Sequence, residues 1–559
     1  MRFLDALRSR RVLVADSDIR SQLAGIDAVR CKCPEAVNVL VPELIMNIHR
    51  TEINSGASII TCNSMGCSRY NLSKYSLEGC QEEIIKSSIF NAAKASQGNA
   101  YIAYSLGPTG RPGMDFNWYY NQFREQVAIL NRFPVDVVFI EGFACLQEAR
   151  AALLAVKETC IVPVVCAMTF GDAETLPHAA AVVLGSLGAD AVGIYGNTPE
   201  EIHNWISEMY RVSSKPLVIR PGIGGITPEV FAEKCERLLA FGAVVLGGGP
   251  GTGPIHTRFL DTKVSNRPAV RMEMNSLIAA SGKKVVEIGS GKKLVIIGER
   301  INPTGKPDMA EELERSVFDR VVHEAADQQR EGADMLDVNV FTPGLDEEQV
   351  LPSAIRELSN TVSLPLSIDT RNPGALAKAL RIYPGRALVN SIDLCPATLG
   401  GMLPVIKKYG AAVIALTMGE SGVPASAAMR LDMACKLVEL IEQEGIDRTD
   451  VLMDCLALPL SSGGSACTTT LDALSLIKDR LGAPTVLGIS NVSYGMTGRS
   501  EINSVFLAMA VSRGLNSAIV NTGQDSIRKT IRAINLMDNP ENSVPGIFKI
   551  KGSDINDQA

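Results

Sequence analysis

The stretch LVIIGERIN (294–302) is an apolar run that ends in Glu299 and Asn302, and MLDVNV (335–340) repeats that form one helix length later. LPLSIDT (364–370), ALVNSI (387–392), AAVIALTM (411–418), VLMDCLAL (451–458), TVLGISNVS (485–493) and SAIVNT (517–522) continue the series. Short apolar runs separated by amphipathic intervals long enough for a helix read as buried parallel strands with crossover helices. Eight such units predict a (β/α)8 barrel, in which reactive groups project from the carboxyl ends of the strands. Those ends supply Glu299, Asn302, Asp337, Asn339, Asp369, Asn390, Asp454 and Asn491. A ring of carboxylates and carboxamides, without a His or Cys pair, suits a polar, hydrogen-bonding heterocycle.

Upstream the pattern occurs eight more times, in VLVAD (12–16), SIITCNS (58–64), AYIAYSLGP (100–108), VDVVFIEG (135–142), VPVVCAMTF (162–170), ADAVGIYGN (189–197), KPLVIRPG (215–222) and AVVLGGGPGTG (243–253). A chain of 559 residues exceeds one core, and two consecutive (β/α)8 TIM barrels of ordinary size account for it. The expected division is a barrel over 1–262, a linker over 263–292 with one helical stretch at 272–280, a barrel over 293–536 and a tail over 537–559.

Hydrophobic residues make up 46% of the chain and charged residues 21%, so there is ample material for two cores. The net charge of −7, without a basic stripe, argues against nucleic acid or an anionic membrane surface as partner. Thirteen irregularly spaced cysteines read as reduced thiols. The chain has no signal-peptide pattern and no run of about 18 uncharged apolar residues, so a cytoplasmic location is expected.

Two glycine-rich runs invite a phosphate reading. Gly289-Ser-Gly-Lys-Lys lacks the first glycine and the Ser/Thr of a phosphate loop. Gly247–Gly253 follows the eighth strand, where backbone NH groups can hold an anion, or it is simply a tight strand-to-helix turn. None of the five histidines forms a metal-binding or triad pattern.

The second half resembles the pterin-binding barrel shared by cobalamin-dependent methionine synthase and the methyltetrahydrofolate:corrinoid/iron–sulfur protein methyltransferase. The matching segments are Ile297–Asn302, Gly332–Asn339, Ser367–Asp369, Tyr383–Ser391, Asp454 and Gly488–Ser493, in order and at strand ends. The resemblance implies methyltetrahydrofolate as substrate. Asn491 would hydrogen-bond the methyl-bearing ring nitrogen and favour its protonation as the methyl leaves. Asp369, Asn390 and Asp454 would hold the pyrimidine edge, and Asp337 and Asn339 would complete that floor or cap the following helices. Glu299, Asn302 and Ser493 belong to the same binding set. One departure is Cys455, where the family usually has proline after the sixth-strand Asp.

The first half resembles the homocysteine-binding barrel of methionine synthase and zinc-dependent homocysteine S-methyltransferases, through Cys62–Arg69, Leu106–Gly110, Glu141–Phe143, Ala167–Phe170 and Gly247–His256. That family holds zinc with a cysteine after strand six and an adjacent pair after strand eight. Here those positions read Gly193-Ile-Tyr-Gly196 and Gly248-Gly-Pro-Gly251. No metal is therefore expected in its usual place, although Cys62, Cys67, Cys145 and Cys31-Lys-Cys33 offer thiols for a relocated site. Asn63 and Glu141 stand where the family keeps polar substrate contacts. No stretch resembles a cobalamin-binding module, so the resemblance implies a corrinoid carried by a separate protein as methyl acceptor, alongside a folate substrate and a homodimer as a further association. The alternatives are a methionine synthase-like enzyme acting on a thiol through a relocated metal, or a folate-binding, corrinoid-docking scaffold.

Overall fold

The computed structural model describes residues 2–9, 11–24, 33–171, 175–265, 267–270, 276–463 and 465–538. The first eight strands are β1 (Leu13–Val14), β2 (Ile59–Thr61), β3 (Tyr101–Leu106), β4 (Val137–Phe143), β5 (Val164–Met168), β6 (Ala191–Tyr195), β7 (Leu217–Arg220) and β8 (Ala243–Leu246). They pair in parallel in the order β1-β8-β7-β6-β5-β4-β3-β2. The ring closes through a parallel bridge between Ala15 and Ile59, where Asp16 N donates to Ile59 O (2.9 Å) and Ser58 N to Val14 O (2.8 Å).

An antiparallel hairpin follows, β9 (Leu277–Ala280) and β10 (Val285–Ile288). Then come β11 (Val295–Ile301), β12 (Met335–Val338), β13 (Leu366–Asp369), β14 (Leu388–Ile392), β15 (Ala412–Leu416), β16 (Val451–Asp454), β17 (Thr485–Gly488) and β18 (Ser517–Val520), a closed parallel barrel in sequence order. Helices occupy the intervals, so the molecule is two consecutive (β/α)8 barrels, and each of the sixteen expected strands lies within its apolar run, except that β4 extends one residue beyond its run to Phe143. Among the described residues, no helix is long and apolar enough to cross a membrane.

The strands are shorter than the runs that contain them, because each run continues into the turn at the barrel mouth. β17 ends at Gly488, and Ile489–Ser493 is a 3-10 turn that carries Asn491. β16 ends at Asp454.

Each barrel is stoppered at its amino-terminal end. In the first, Phe3 and Leu7 of the helix Phe3–Arg8 pack against the inward residues Val137, Phe139, Val165, Ala191 and Val218. In the second, Leu277, Ala279, Val286 and Ile288 of the hairpin pack on Val295, Ile297, Leu388, Ile414 and Leu452. Fully burying such a side chain stabilises by about 1.5–3 kcal/mol, which is what a barrel end left open would forgo. The expected helix over 272–280 is thus corrected: 271–275 lie outside the described residues, and Leu277–Ala280 is strand. All four of its residues are buried, Leu277 and Ala279 in the barrel plug and Ile278 and Ala280 in the surrounding core. A short apolar run buried on both faces has no period that separates strand from helix. Arg386 pins the hairpin, pairing its backbone with Ala280 and donating Nη1 to Ile278 O (2.9 Å). The expected tail lies outside the described residues from 539 onward.

The barrels meet side by side. Arg150, fully buried on the helix Leu146–Thr159, donates to Leu380 O (3.0 Å) and Arg381 O (3.4 Å), and Gln147 donates to Ile382 O (2.8 Å). These are carbonyls at the carboxyl end of the helix Pro373–Ile382, which have no partner within their own helix and attract cations. Around this contact, Arg381 lies 4.2 Å from the Tyr120 ring and Glu158 accepts from Lys408. Burial lowers the Arg150 guanidinium to about 10, still charged at neutral pH. We expect Arg150→Ala to leave these carbonyls dry and unpaired and to destabilise the protein by about 2–4 kcal/mol, measured by urea denaturation.

Candidate functional site

The mouth of the second barrel collects acidic side chains on the neighbouring strands β11, β12 and β13 and on β16 across the ring. Asp337 lies next to last on β12 and is buried; its Oδ1 accepts from Ser367 Oγ (2.6 Å) on β13 and from Asn390 Nδ2 (3.1 Å) on β14. Asn339, one residue past β12, donates Nδ2 to Asp369 Oδ2 (2.9 Å) at the end of β13. Its own oxygen accepts from Phe341 N (2.9 Å). The Asn390-Ser391 peptide is cis, and Asn390 O accepts from Thr370 N (3.0 Å). Glu299 on β11 accepts from Ser490 Oγ (2.7 Å), a bond between the first strand of the barrel and the turn after the seventh. Asp454 ends β16 with Oδ1 accepting from Leu456 N (2.7 Å).

Among the described residues, none of Glu299, Asp337, Asp369 and Asp454 forms an ion pair. Burial therefore dominates their titration. Asp337 is raised to about 7 by burial and then by the neighbouring Asp369 charge, and burial alone raises Asp454 to about 7 against the pull of Leu456 N and Arg430. Burial also raises Asp369 and Glu299. Carboxyls at a barrel mouth that form no ion pair keep acceptor capacity for hydrogen bonds from a ligand.

Asn491 sits exposed on the 3-10 turn after β17. Glycine at 488 leaves room for it, since a Cβ there would come 3.1 Å from Asn491 Nδ2. Ser493, by contrast, faces inward: its buried hydroxyl receives Arg499 Nε (3.1 Å) and donates to Ser490 O (3.4 Å). Asn302 lies one residue past β11 with its oxygen accepting from Thr304 N (2.9 Å). The nine residues named from the sequence thus fall at one mouth, with Ser493 inside the turn and Asn302 beside it. Ser367, Ser490 and Arg499 were not anticipated. Ser367 and Ser490 lie within the quoted runs, but single serines there carry no distinguishing period.

The mouth of the first barrel is arranged differently. Arg220, at the end of β7 and 1% exposed, donates Nη1 to Glu141 Oε2 (2.7 Å) and Nη2 to the Asp16 carboxylate (3.2 Å) and carbonyl (3.1 Å). Ser105 Oγ also donates to Glu141 (2.6 Å), and Tyr195 OH to Asp18 (3.2 Å). Asn63 donates to Pro34 O (2.8 Å). Glu141, expected as a substrate contact, is therefore engaged within the protein. The sequence KPLVIRPG shows no sign of this, because both partners come from distant strands.

The zinc positions of the resembled family can be tested directly. A Cβ on Gly196, the first residue after β6, would meet Thr169 Oγ1 at an ordinary 3.5 Å, whereas one on Gly248 would lie 2.2 Å from Thr252 Oγ1 and one on Gly249 2.5 Å from Arg220 O. The turn after β8 is thus closed to added side chains, while after β6 there is room but no donor, and glycine and proline offer zinc no ligand. Zinc does not fit there. Of the cysteines that might supply another site, Cys62 and Cys67 are buried and burial drives their thiols well above the usual range, so they resist forming the thiolates that zinc requires. Cys145 is exposed, and Cys31 lies outside the described residues. Among the described residues, no group of three or more His, Cys, Asp or Glu side chains is placed to hold a metal. The run Gly247–Gly253 is a tight turn: its NH groups at 247, 248, 249, 251 and 253 already donate to Ile219 O, Asp16 O, Pro221 O, Ser21 Oγ and His256 Nδ1.

Residues 11–264 match the family model for homocysteine S-methyltransferase, and residues 298–521 match that for pterin binding enzymes. The methionine synthases of Mycobacterium tuberculosis and Mycobacterium leprae are each 25% identical, over 93% and 92% of this chain and 48% of theirs. The chain thus spans about half the length of the curated relatives it matches. Among solved structures, the Escherichia coli homocysteine methyltransferase MmuM in oxidized form aligns at 20% identity and a TM-score of 0.42, over 46% of this chain and 98% of its own. A dihydropteroate synthase from Xanthomonas albilineans aligns at 17% and 0.35, over 46% and 98%.

Two outcomes test these sites. The Asp337 carboxyl, at about 7 when folded against an ordinary 3.8, holds its proton longer in the native state. The stability it contributes is complete below about pH 4 and lost as pH rises through 7. Asp337→Asn should therefore stabilise the ligand-free protein at pH 8 by roughly 2–4 kcal/mol, with the gain vanishing near pH 4, as read from denaturation curves. Arg220→Ala strands the Glu141 carboxylate and should cost about 3–5 kcal/mol, a loss that added zinc does not restore in thermal melts.

Proposed function

We propose that this chain, which pairs a homocysteine S-methyltransferase domain with a pterin-binding domain as the first two modules of methionine synthase do, moves a methyl group between methyltetrahydrofolate and the cobalt of a corrinoid carried by a separate protein. The observation that carries this reading is the second barrel's mouth: Asp337 and Asp454 buried, Asp369 and Asn390 half-buried, none of these carboxyls in an ion pair among the described residues, and Asn491 exposed on the turn after β17.

A reduced pterin presents an amino group and ring NH donors along its pyrimidine edge. Ionised Asp369 and Asp454 accept these donors, and each charge-assisted bond in a desolvated site contributes roughly 1.5–3 kcal/mol. Binding such a ligand supplies the partners the empty mouth lacks and draws the raised carboxyl groups toward ionisation. Asn339 holds Asp369 in place, and Ser367 and Asn390 hold Asp337.

The methyl group leaves a ring nitrogen, which must gain a proton because its anion is a poor leaving group. Asn491 donates or accepts at that nitrogen equally well through its carboxamide, so it can bind the methylated base and stabilise the protonated form. The corrinoid would supply a reduced cobalt as methyl acceptor, approaching from the mouth at which Asn491 is exposed. The first barrel, with its charges mutually paired, supports the pterin barrel through the Arg150 contact.

Methyl transfer from methyltetrahydrofolate to reduced cobalamin, followed by cobalt absorbance, tests the assignment. We expect transfer by the wild type, a fall of about 10²–10³-fold with Asn491→Ala, and folate affinity that weakens as pH drops below about 7. Tight folate binding with no transfer to free cobalamin or to any corrinoid protein would overturn the reading in favour of a scaffold.

A further inference from the structure

The turn after β16 holds the one left-handed leucine at either barrel mouth among the described residues. Leu456 has φ +60°, a conformation that a leucine adopts only when its surroundings hold it. Its N–H is the donor to Asp454 Oδ1 (2.7 Å), so the strained residue is also what fixes the carboxyl's orientation.

What holds Leu456 comes from elsewhere in the fold. Arg430, 1% exposed on the helix Ala427–Gln443, donates Nη1 to Cys455 O (2.7 Å), Leu456 O (3.0 Å) and Thr470 Oγ1 (3.1 Å), and Nε to Pro424 O (3.1 Å). Thr470 on the next helix donates in turn to Leu456 O (3.1 Å). One guanidinium therefore ties the loop after β15 to both carbonyls that flank the Cys455–Leu456 peptide. Its hydrogen bonds go to these carbonyls and to Thr470 and not to Asp454, on which it acts only through its charge.

We infer that Arg430 is a positioning residue for substrate: by clamping the Cys455 and Leu456 carbonyls it keeps Leu456 left-handed, and Leu456 N–H aims the Asp454 carboxyl at the bound heterocycle. Without the clamp, Leu456 relaxes to negative φ, its N–H swings away, and Asp454 loses its fixed orientation. The inference rests on the proposed function, because it takes Asp454 as a ligand contact.

The test is methyltetrahydrofolate binding by titration calorimetry, with kcat for transfer to reduced cobalamin at saturating folate, on wild type, Arg430→Gln, Asp454→Asn and the double variant. For Arg430→Gln we expect a Kd raised 10-fold or more with kcat within about threefold, and partial recovery in Arg430→Lys, whose ammonium can still reach the two carbonyls. Asp454→Asn should weaken binding strongly in the wild-type background and little further in Arg430→Gln, because the clamp and the carboxyl then act as one unit. Equal effects of Asp454→Asn in both backgrounds, or an unchanged Kd in Arg430→Gln, would overturn the inference while leaving the pterin site standing. If wild type binds no methyltetrahydrofolate, the functional reading itself fails. Should Arg430→Gln not fold, Thr470→Val removes one brace on Leu456 O, and the same non-additivity with Asp454→Asn is expected at smaller size.

Discussion

Burying a carboxylate at the end of a parallel strand is costly unless something meets it. A barrel whose strands are apolar on both faces can place polar groups only at its mouths, and there the desolvation of Asp and Glu governs the structure. The two barrels of this chain answer that constraint in opposite ways. In the first, Arg220 reaches across the lumen to Glu141 and Asp16 and satisfies the charge from within. In the second, Asp337, Asp369, Asp454 and Glu299 are braced by neutral donors such as Ser367, Asn339, Leu456 N and Ser490, and their charge is left for a ligand to meet.

The contrast sets apart two related folds joined in one chain. Groups that are ordered but not ion-paired suit ligand binding, as proposed for the second mouth. In the first mouth the main charges are paired with one another. After β8 the change goes further than removing donors, since Arg220 O lies where a Cβ on Gly249 would stand, whereas Gly196 after β6 keeps room for a side chain. Thiol activation by a metal there would require restoring the donors and rebuilding the turn after β8.

Rigidity at the second mouth is supplied from outside it. Arg430 holds the turn beneath Asp454, Arg499 holds the turn that carries Asn491, and Arg150 fixes the helix Pro373–Ile382, which follows the strand ending in Asp369. In each case a guanidinium binds backbone carbonyls, or a hydroxyl and a carbonyl, that regular structure leaves without partners. Its planar fork reaches several acceptors at once, which an ammonium does less well.

The sequence by itself determined the sixteen strands, their parallel order and the set of polar residues at the second mouth, because strand periodicity and the residue that ends a strand are local properties. It also marked the glycines at the former metal positions. It did not reveal the hairpin that stoppers the second barrel, because Leu277–Ala280 is buried on both faces and carries no readable period. Nor did it reveal Arg220, Arg430 or Arg150 as organising residues. Their acceptors lie 79 and 204 residues away for Arg220, 25 and 26 for Arg430, and 230 and 231 for Arg150. Only closure of the barrels, and the packing of one against the other, brings those groups within hydrogen-bond distance. The tertiary structure therefore decided which charges are met from within and which are left open for a ligand.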